Sequence, residues 1–131
     1  TCSVHIRRGD YLGLPHVYNE LTIENYYENA MAQFPDETLF LVFSDDIEWC
    51  KENIKKENVI FVEGQSDIYD LILMSKCNHN IIANSSFSWW GAWLNNNPDK
   101  KVIAPGTWFS EQANMPTQDL IPEAWIKLET K

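Results

Sequence analysis

Arginine, glycine and cysteine are scarce in this chain, and long apolar runs are missing. Each shortage excludes a class of function. No apolar stretch approaches the ~18 residues of a membrane-spanning helix, so the sequence carries no transmembrane segment. The five glycines are scattered, and neither G-x-G-x-x-G nor G-x-x-x-x-G-K-[ST] occurs. That argues against an ordinary dinucleotide dehydrogenase and against a P-loop enzyme. Cys2, Cys50 and Cys77 are odd in number, far apart, and without a CxxC pair or closely spaced histidines. A zinc site is disfavoured, and the thiols read as reduced in a cytoplasmic setting, with peripheral contact at a membrane left open. Ten Lys and Arg stand against 19 Asp and Glu, a net charge of -9. This argues against nucleic acid as a partner, because phosphate backbones reward a basic surface. Within this acidic background Arg7 and Arg8 are the only arginines, and they are adjacent. A planar guanidinium fork suits bidentate phosphate binding.

What is present is the pattern of an alternating α/β domain. At 131 residues the chain is large enough for one core of its own, and no repeat or linker divides it. Short apolar runs rich in β-branched residues occupy 3–7, 39–43, 59–62, 80–83 and 101–104. Near-continuous apolar runs suit parallel strands covered on both faces. Helical periodicity lies between them. Thr22 is the expected N-cap of 22–34, Ser44-Asp45-Asp46 caps 47–54, Ser66-Asp67 caps 68–77, and Ser85 or Ser86 caps 87–96. The helix over 68–77 is expected to turn Ile68, Leu71, Ile72 and Met74 inward. Strand and helix alternate throughout, which predicts a Rossmann-like doubly wound parallel sheet. The stretch 105–131, punctuated by proline and carrying Trp108 and Trp125, is expected to form loops and one short helix. The chain opens on Thr1-Cys2 and runs directly into a strand. We expect it to be cut from a longer protein, since doubly wound domains often come in pairs.

Ligands of such sheets bind beyond the carboxyl ends of the strands. The polar clusters fall there: Arg7-Arg8-Gly9-Asp10, Ser44-Asp45-Asp46, Glu63-Gly64-Gln65-Ser66-Asp67 and Asn84-Ser85-Ser86. Each has a plain alternative. Arg7 and Arg8 suit a diphosphate, or they pair with Asp10 or Asp45-Asp46; an Arg8-Gly9-Asp10 adhesion loop is the least supported reading. Asn84-Ser85-Ser86 is a phosphate-cradling helix start or an ordinary serine cap. Asp45-Asp46 are helix N-terminal charges rather than metal ligands, since no Asp-x-Asp triplet or histidine cluster accompanies them. Asp70 is suited to accept from the paired N–H donors of a guanine edge. The run Phe87-Ser88-Trp89-Trp90-Gly91-Ala92-Trp93 is expected to pack mainly in the core, with one ring at the helix start open to sugar stacking.

Together these motifs resemble the α-1,2-fucosyltransferases of glycosyltransferase family 11 and, more distantly, the α-1,6- and protein O-fucosyltransferases. The resemblance rests on His5-Ile6-Arg7-Arg8-Gly9-Asp10-Tyr11, on Phe43-Ser44-Asp45-Asp46, and on Asp70-Leu71-Ile72-Leu73-Met74-Ser75 leading into Asn84-Ser85-Ser86-Phe87-Ser88-Trp89-Trp90-Gly91. It implies a GT-B enzyme of two facing Rossmann-like domains. Residues 1–131 would be the single C-terminal, donor-binding domain, and the N-terminal acceptor domain would lie outside this chain. It implies GDP-fucose as donor substrate, a glycan acceptor, inversion at the anomeric carbon, and neither a metal nor another cofactor. Arg7 matches the arginine that grips the β-phosphate, His5 and Asp70 match guanosine contacts, and Ser85, Ser86 and the Phe87 backbone match the phosphate-binding turn. Arg8, Asp10 and Asp45 resemble the supporting ion-pair shell of that donor site. Breaking the fucose–phosphate bond leaves charge on GDP, so Arg7 is the expected electrostatic catalyst, with Asp10 beside it as a second catalytic candidate.

The α-1,6 relatives carry a glutamate shortly after the arginine motif, where this sequence has Leu12-Gly13-Leu14-Pro15-His16. The base that deprotonates the acceptor stays open among His16, Glu20, Asp10 and a residue of the other domain. The isolated chain is expected to bind GDP weakly and transfer nothing. Two rivals remain: a stand-alone nucleotide-binding module and a carbohydrate-binding domain suggested by the six tryptophans.

Overall fold

A computed structural model of the chain describes residues 1–7, 26–54, 56–83, 85–105, 122 and 124–128. Among them, six strands form one sheet: β1 (Cys2–Ile6), β2 (Phe40–Ser44), β3 (Val59–Phe61), β4 (His79–Ile81), β5 (Val102–Pro105) and β6 (Ile126–Leu128). The helices described are α1 (Tyr26–Met31), α2 (Ile47–Asn53), α3 (Asp67–Lys76) and α4 (Ser86–Trp93). The spatial order is β3-β2-β1-β4-β5-β6, and every pairing is parallel. This is the expected Rossmann-like, doubly wound sheet. The strand order reverses between β1 and β4, which opens a crevice beyond their carboxyl ends.

β1 is buried along its whole length, as a central strand covered on both faces must be. Its alternate residues Cys2, Val4 and Ile6 enter one apolar cluster with Phe40, Val42, Ile81 and Ile103, and α1 closes it with Tyr26, Ala30 and Met31. The Tyr26 hydroxyl donates to the Ile82 and Ile103 carbonyls at 2.7 and 3.1 Å, which ties α1 to the ends of β4 and β5. The remaining β1 positions, Ser3 and His5, point to the opposite face because strand side chains alternate. Beneath α3 and α4 that face holds a buried polar network. Asn80 Nδ2 donates to Ser3 Oγ at 2.7 Å and to the Met74 carbonyl at 2.8 Å. Asn95 Nδ2 donates to Asn80 Oδ1 and to the Cys77 carbonyl, both at 2.8 Å. Two amides thus fix β1, β4 and the carboxyl ends of α3 and α4 to one another. A buried amide with its donors and acceptors paired specifies an arrangement that apolar side chains alone would leave adjustable.

Caps fall where the sequence placed polar residues. Asp46 accepts from the Trp49 N–H at the start of α2, Ser66 from Tyr69 at α3, and Ser85 from Phe87 at α4. Thr22 lies outside the described residues. At the other end of α4, Lys100 Nζ donates to the Ala92 and Asn95 carbonyls, both at 2.9 Å. A cation on the last carbonyls complements the helix dipole, so α4 is served at both termini.

Two expectations fail. Within 105–131, residues 126–128 form the edge strand β6 rather than loop or helix. Three residues are too few to display strand alternation, and the neighbour that pairs them is distant in sequence. The second concerns α3, where Ile68 and Ile72 are 70% and 47% exposed and only Met74 of the expected apolar side is buried. α3 packs sideways on α4: a Cβ at Gly91 would lie 3.0 Å from Met74 Cβ and 3.6 Å from Leu71 Cδ1. The inward stripe therefore runs through Leu71, Met74 and Cys77, turned away from Ile68 and Ile72. The tryptophan run divides as well. Trp89 stacks on Trp93 at 5.2 Å and meets Trp125 at 5.8 Å, against the second apolar cluster. Trp90 and Trp93 remain about half exposed. No helix among the described residues is long and apolar enough to cross a membrane.

Candidate functional site

Four connections converge where the strand order reverses. β1 ends by presenting His5 and, one residue beyond the strand, Arg7. β2 delivers Phe43, Ser44 and Asp45. The segment after β4 delivers Ser85 and the start of α4, and the first turn of α3 delivers Asp67 and Asp70. These residues, with Ser86 and Phe87, line one cleft of about 270 Å³. A larger groove of about 520 Å³ lies at the amino ends of β1, β2 and β4, but Glu37 and Asp99 line it without any lysine or arginine side chain.

The cleft brings unlike charges together. Arg7 Nη1 lies 3.9 Å from Asp45 Oδ2, each side chain being partly open to solvent. The sequence offered ion pairing and phosphate binding as alternatives for this arginine; the pair is long enough that Arg7 both meets Asp45 and lines the cleft. At α4, Ser85 Oγ accepts from the Phe87 N–H at 3.3 Å. Ser88 Oγ accepts from the Ala83 N–H at 3.1 Å and donates to the Ser85 carbonyl at 3.4 Å. The two serines hold the approach to α4 so that its positive dipole end opens into the cleft.

His5 is buried, and its ring lies 5.5 Å from that of Phe87. Burial, aided by the charge of Arg7 and opposed by Asp45, lowers its pKa to about 4. The imidazole is therefore neutral at pH 7, one nitrogen a donor and the other an acceptor. Among the described residues its Nδ1 has no hydrogen-bond partner. His5 is thus a cleft-lining residue with one buried nitrogen left unmatched among the described residues. Asp70 is placed differently. Partial burial holds its carboxyl above the ordinary value, Asp67 adds to this, and a hydrogen bond from Gln65 works against it. Gln65 Nε2 donates to Asp70 Oδ1 at 3.1 Å.

Comparison with known proteins places the sequence in a family. The family model described as Glycosyl transferase family 11 matches residues 1–129. The chain belongs to glycosyl transferase family 11. An O-antigen biosynthesis glycosyltransferase of Escherichia coli is 41% identical to it, the match covering 98% of this chain and 44% of the relative. An alpha-1,2-colitosyltransferase of Escherichia coli is 42% identical, over 97% of this chain and 47% of the relative. A galactoside alpha-(1,2)-fucosyltransferase 2 of Oryctolagus cuniculus is 35% identical over 70% of this chain and 29% of the relative. The family 11 chain thus spans less than half the length of these curated relatives. No solved structure gives a significant match.

Of the residues singled out from the family 11 motifs, His5, Arg7, Asp70, Ser85, Ser86 and Phe87 come together in the cleft. Arg8 and Asp10 lie outside the described residues, as do His16 and Glu20. Phe43, Ser44 and Asp67 also line the cleft. Ser44 belongs to the polar cluster expected at this rim, whereas nothing in the residue type of Phe43 pointed to a ligand. Asp67 was given to the cap; Ser66 performs that role and leaves the Asp67 carboxylate at the rim. Phe87, rather than a tryptophan, is the ring of the aromatic run that reaches the cleft.

Proposed function

We propose that this chain is the donor-binding domain of a two-domain, GT-B transferase that moves L-fucose from GDP-fucose to the O2 hydroxyl of a galactoside. The reaction inverts the anomeric carbon and needs no metal. One observation carries the reading: a cation, the start of a serine-capped helix and a carboxylate suited to a base edge share one cleft at the reversal of strand order. A nucleoside diphosphate has the matching polarity, anionic at one end and rich in N–H donors at the other.

In the reaction the acceptor oxygen attacks C1 of the sugar while the bond from C1 to the β-phosphate oxygen breaks. Negative charge grows on the departing GDP. Arg7 and the dipole of α4 meet it there with no reorganisation, which favours the transition state over the bound substrate. His5, held neutral, offers its unmatched Nδ1 to the nucleoside, and Asp70 accepts from the guanine edge. The acceptor proton passes to a base among Asp10, His16, Glu20 or chain beyond these 131 residues. The relatives support the linkage more narrowly than the sugar, since their names pair α-1,2 with either fucosyl or colitosyl transfer. A cleft of about 270 Å³ falls just under the ~300–1,000 Å³ of complete ligand sites. It supplies one wall of a donor site, and transfer requires the second domain.

Calorimetric titration of this chain with GDP, ADP and UDP tests the donor assignment. GDP should bind tightest, and preference for ADP or UDP would overturn the guanosine roles of His5 and Asp70. A full-length family 11 polypeptide carrying these residues should form the α-1,2 product from GDP-fucose in the presence of EDTA.

A further inference from the structure

We propose, resting on the reading of the cleft as a guanine nucleotide site, that Gln65 is a positioning residue: its side-chain amide holds the Asp70 carboxylate in the attitude that selects guanine.

Gln65 lies just before Ser66, the N-cap of α3, and Asp70 is the fourth residue of that helix. The turn that joins them is built for the contact. Gly64 has φ 79, a left-handed conformation that other residues resist, and a Cβ there would meet nothing within 4 Å. The glycine is needed for its backbone angle rather than for space. The residue after it, Gln65, donates from its side-chain amide to Asp70 Oδ1 at 3.1 Å.

A carboxylate in the first turn of a helix has a competing use, since the N–H groups of its own N-terminus attract it. Here one of the free backbone donors of the first turn is already taken: Ser66 Oγ accepts from the Tyr69 N–H at 3.4 Å. Gln65 supplies Asp70 with a donor from outside its own helix. Each carboxylate oxygen has two lone-pair sites. Oδ1 can therefore keep the Gln65 bond while both oxygens accept from a ligand. Gln65 brings a neutral donor, which orients the carboxylate without cancelling its charge as a lysine would.

The preference for guanine follows from the number of donors side by side. The Watson–Crick edge of guanine offers N1–H and N2–H, which match the two oxygens of one fixed carboxylate. Hypoxanthine keeps N1–H and lacks the 2-amino group, adenine puts an acceptor at N1, and uracil has a single N–H between two carbonyls. A carboxylate held in one attitude gains from the second donor, whereas one free to rotate loses part of that gain. Gln65 is exposed and outside the helix, so replacing it leaves the core intact.

The test is the ratio of GDP to IDP affinity, measured by calorimetry on this chain for the native sequence, Gln65→Ala and Gln65→Glu, with melting temperature as a check on folding. Gln65→Glu keeps the shape but has no N–H to donate at neutral pH. The native chain should favour GDP over IDP, and both variants should narrow that ratio by about tenfold, the equivalent of one hydrogen bond. If the native chain favours GDP and either variant weakens GDP and IDP equally, or neither, the positioning role fails while the guanine site stands. If the native chain binds GDP and IDP alike, the positioning role falls together with the guanine assignment beneath it.

Discussion

On the proposed function, Arg7 combines a modest structural contact with a demanding chemical one. Its separation of 3.9 Å from Asp45, with both groups partly solvated, is the geometry of a surface ion pair. Such pairs contribute ~0–1 kcal/mol to stability. A donor aimed at charge that develops during reaction contributes more, because it acts in a site with less water and is already oriented. Arg7→Ala in the full-length enzyme is therefore expected to lower kcat by about 10²–10³, or ~2.7–4 kcal/mol. Its melting temperature should stay nearly unchanged. Arg7→Lys should regain part of the nucleotide affinity and little of the rate, since a point charge lacks the two-pronged fork. Near-normal turnover of the alanine variant, measured at saturating GDP-fucose, would remove Arg7 from the catalytic role. The sequence made this residue visible because it stood out against a depleted background. His5 was legible only through the family motif, since an isolated histidine in an apolar run gives no sign that its Nδ1 will be left unmatched.

At the scale of elements, α4 has to lie close to α3 while its start opens into the cleft, and Gly91 permits that approach. Gly91→Ala would gain ~1 kcal/mol of helix propensity. The added Cβ would lie 3.0 Å from Met74 Cβ and 3.1 Å from Met74 Sδ. The sulfur can yield, but Met74 Cβ is fixed to the α3 backbone, so α3 itself must shift. Overpacking of this kind costs ~1–3 kcal/mol. The variant is expected to be destabilised by up to ~2 kcal/mol in denaturant unfolding, and Gly91→Val by more. An alanine variant as stable as the native chain would show that α3 is not held where the Asn80 and Asn95 amides fix it. The first five strands, the alternation and the polar rim were legible in the sequence, because hydrophobic runs bounded by caps report local geometry. The face of α3 was not. Its periodicity admits two neighbouring stripes, and the choice between Ile68-Ile72 and Leu71-Met74 is made by Gly91, a residue on another helix. β6 escaped for a similar reason, since its pairing with Ile103, Ala104 and Pro105 is tertiary information.

Over the whole molecule, lowering the pH sets two effects against each other. A chain with net charge -9 and a sequence pI of about 4.6 repels itself less as carboxylates take up protons, which favours the compact state. His5 acts in the opposite direction. Its folded pKa of about 4 lies below the ordinary 6.5 because burial, and next the charge of Arg7, disfavour the imidazolium, with Asp45 only partly compensating. Between those values the unfolded chain binds more protons at this position than the folded one, so stability falls as pH drops from 6.5 toward 4. A gap of that size corresponds to roughly 3 kcal/mol, since each tenfold difference in proton affinity is about 1.36 kcal/mol. His79, also lowered by burial, adds in the same direction. Relief of diffuse repulsion in salt is a weaker and screened effect. We therefore expect net destabilisation on acidification across this window. Comparison with His5→Gln isolates the cause, because glutamine cannot titrate: the variant should lose most of the slope between pH 6.5 and 4 in urea unfolding. An unchanged slope would mean that His5 titrates alike in the folded and the unfolded chain, and the buried, hard-to-protonate imidazole assigned to the proposed nucleoside contact would be lost with it.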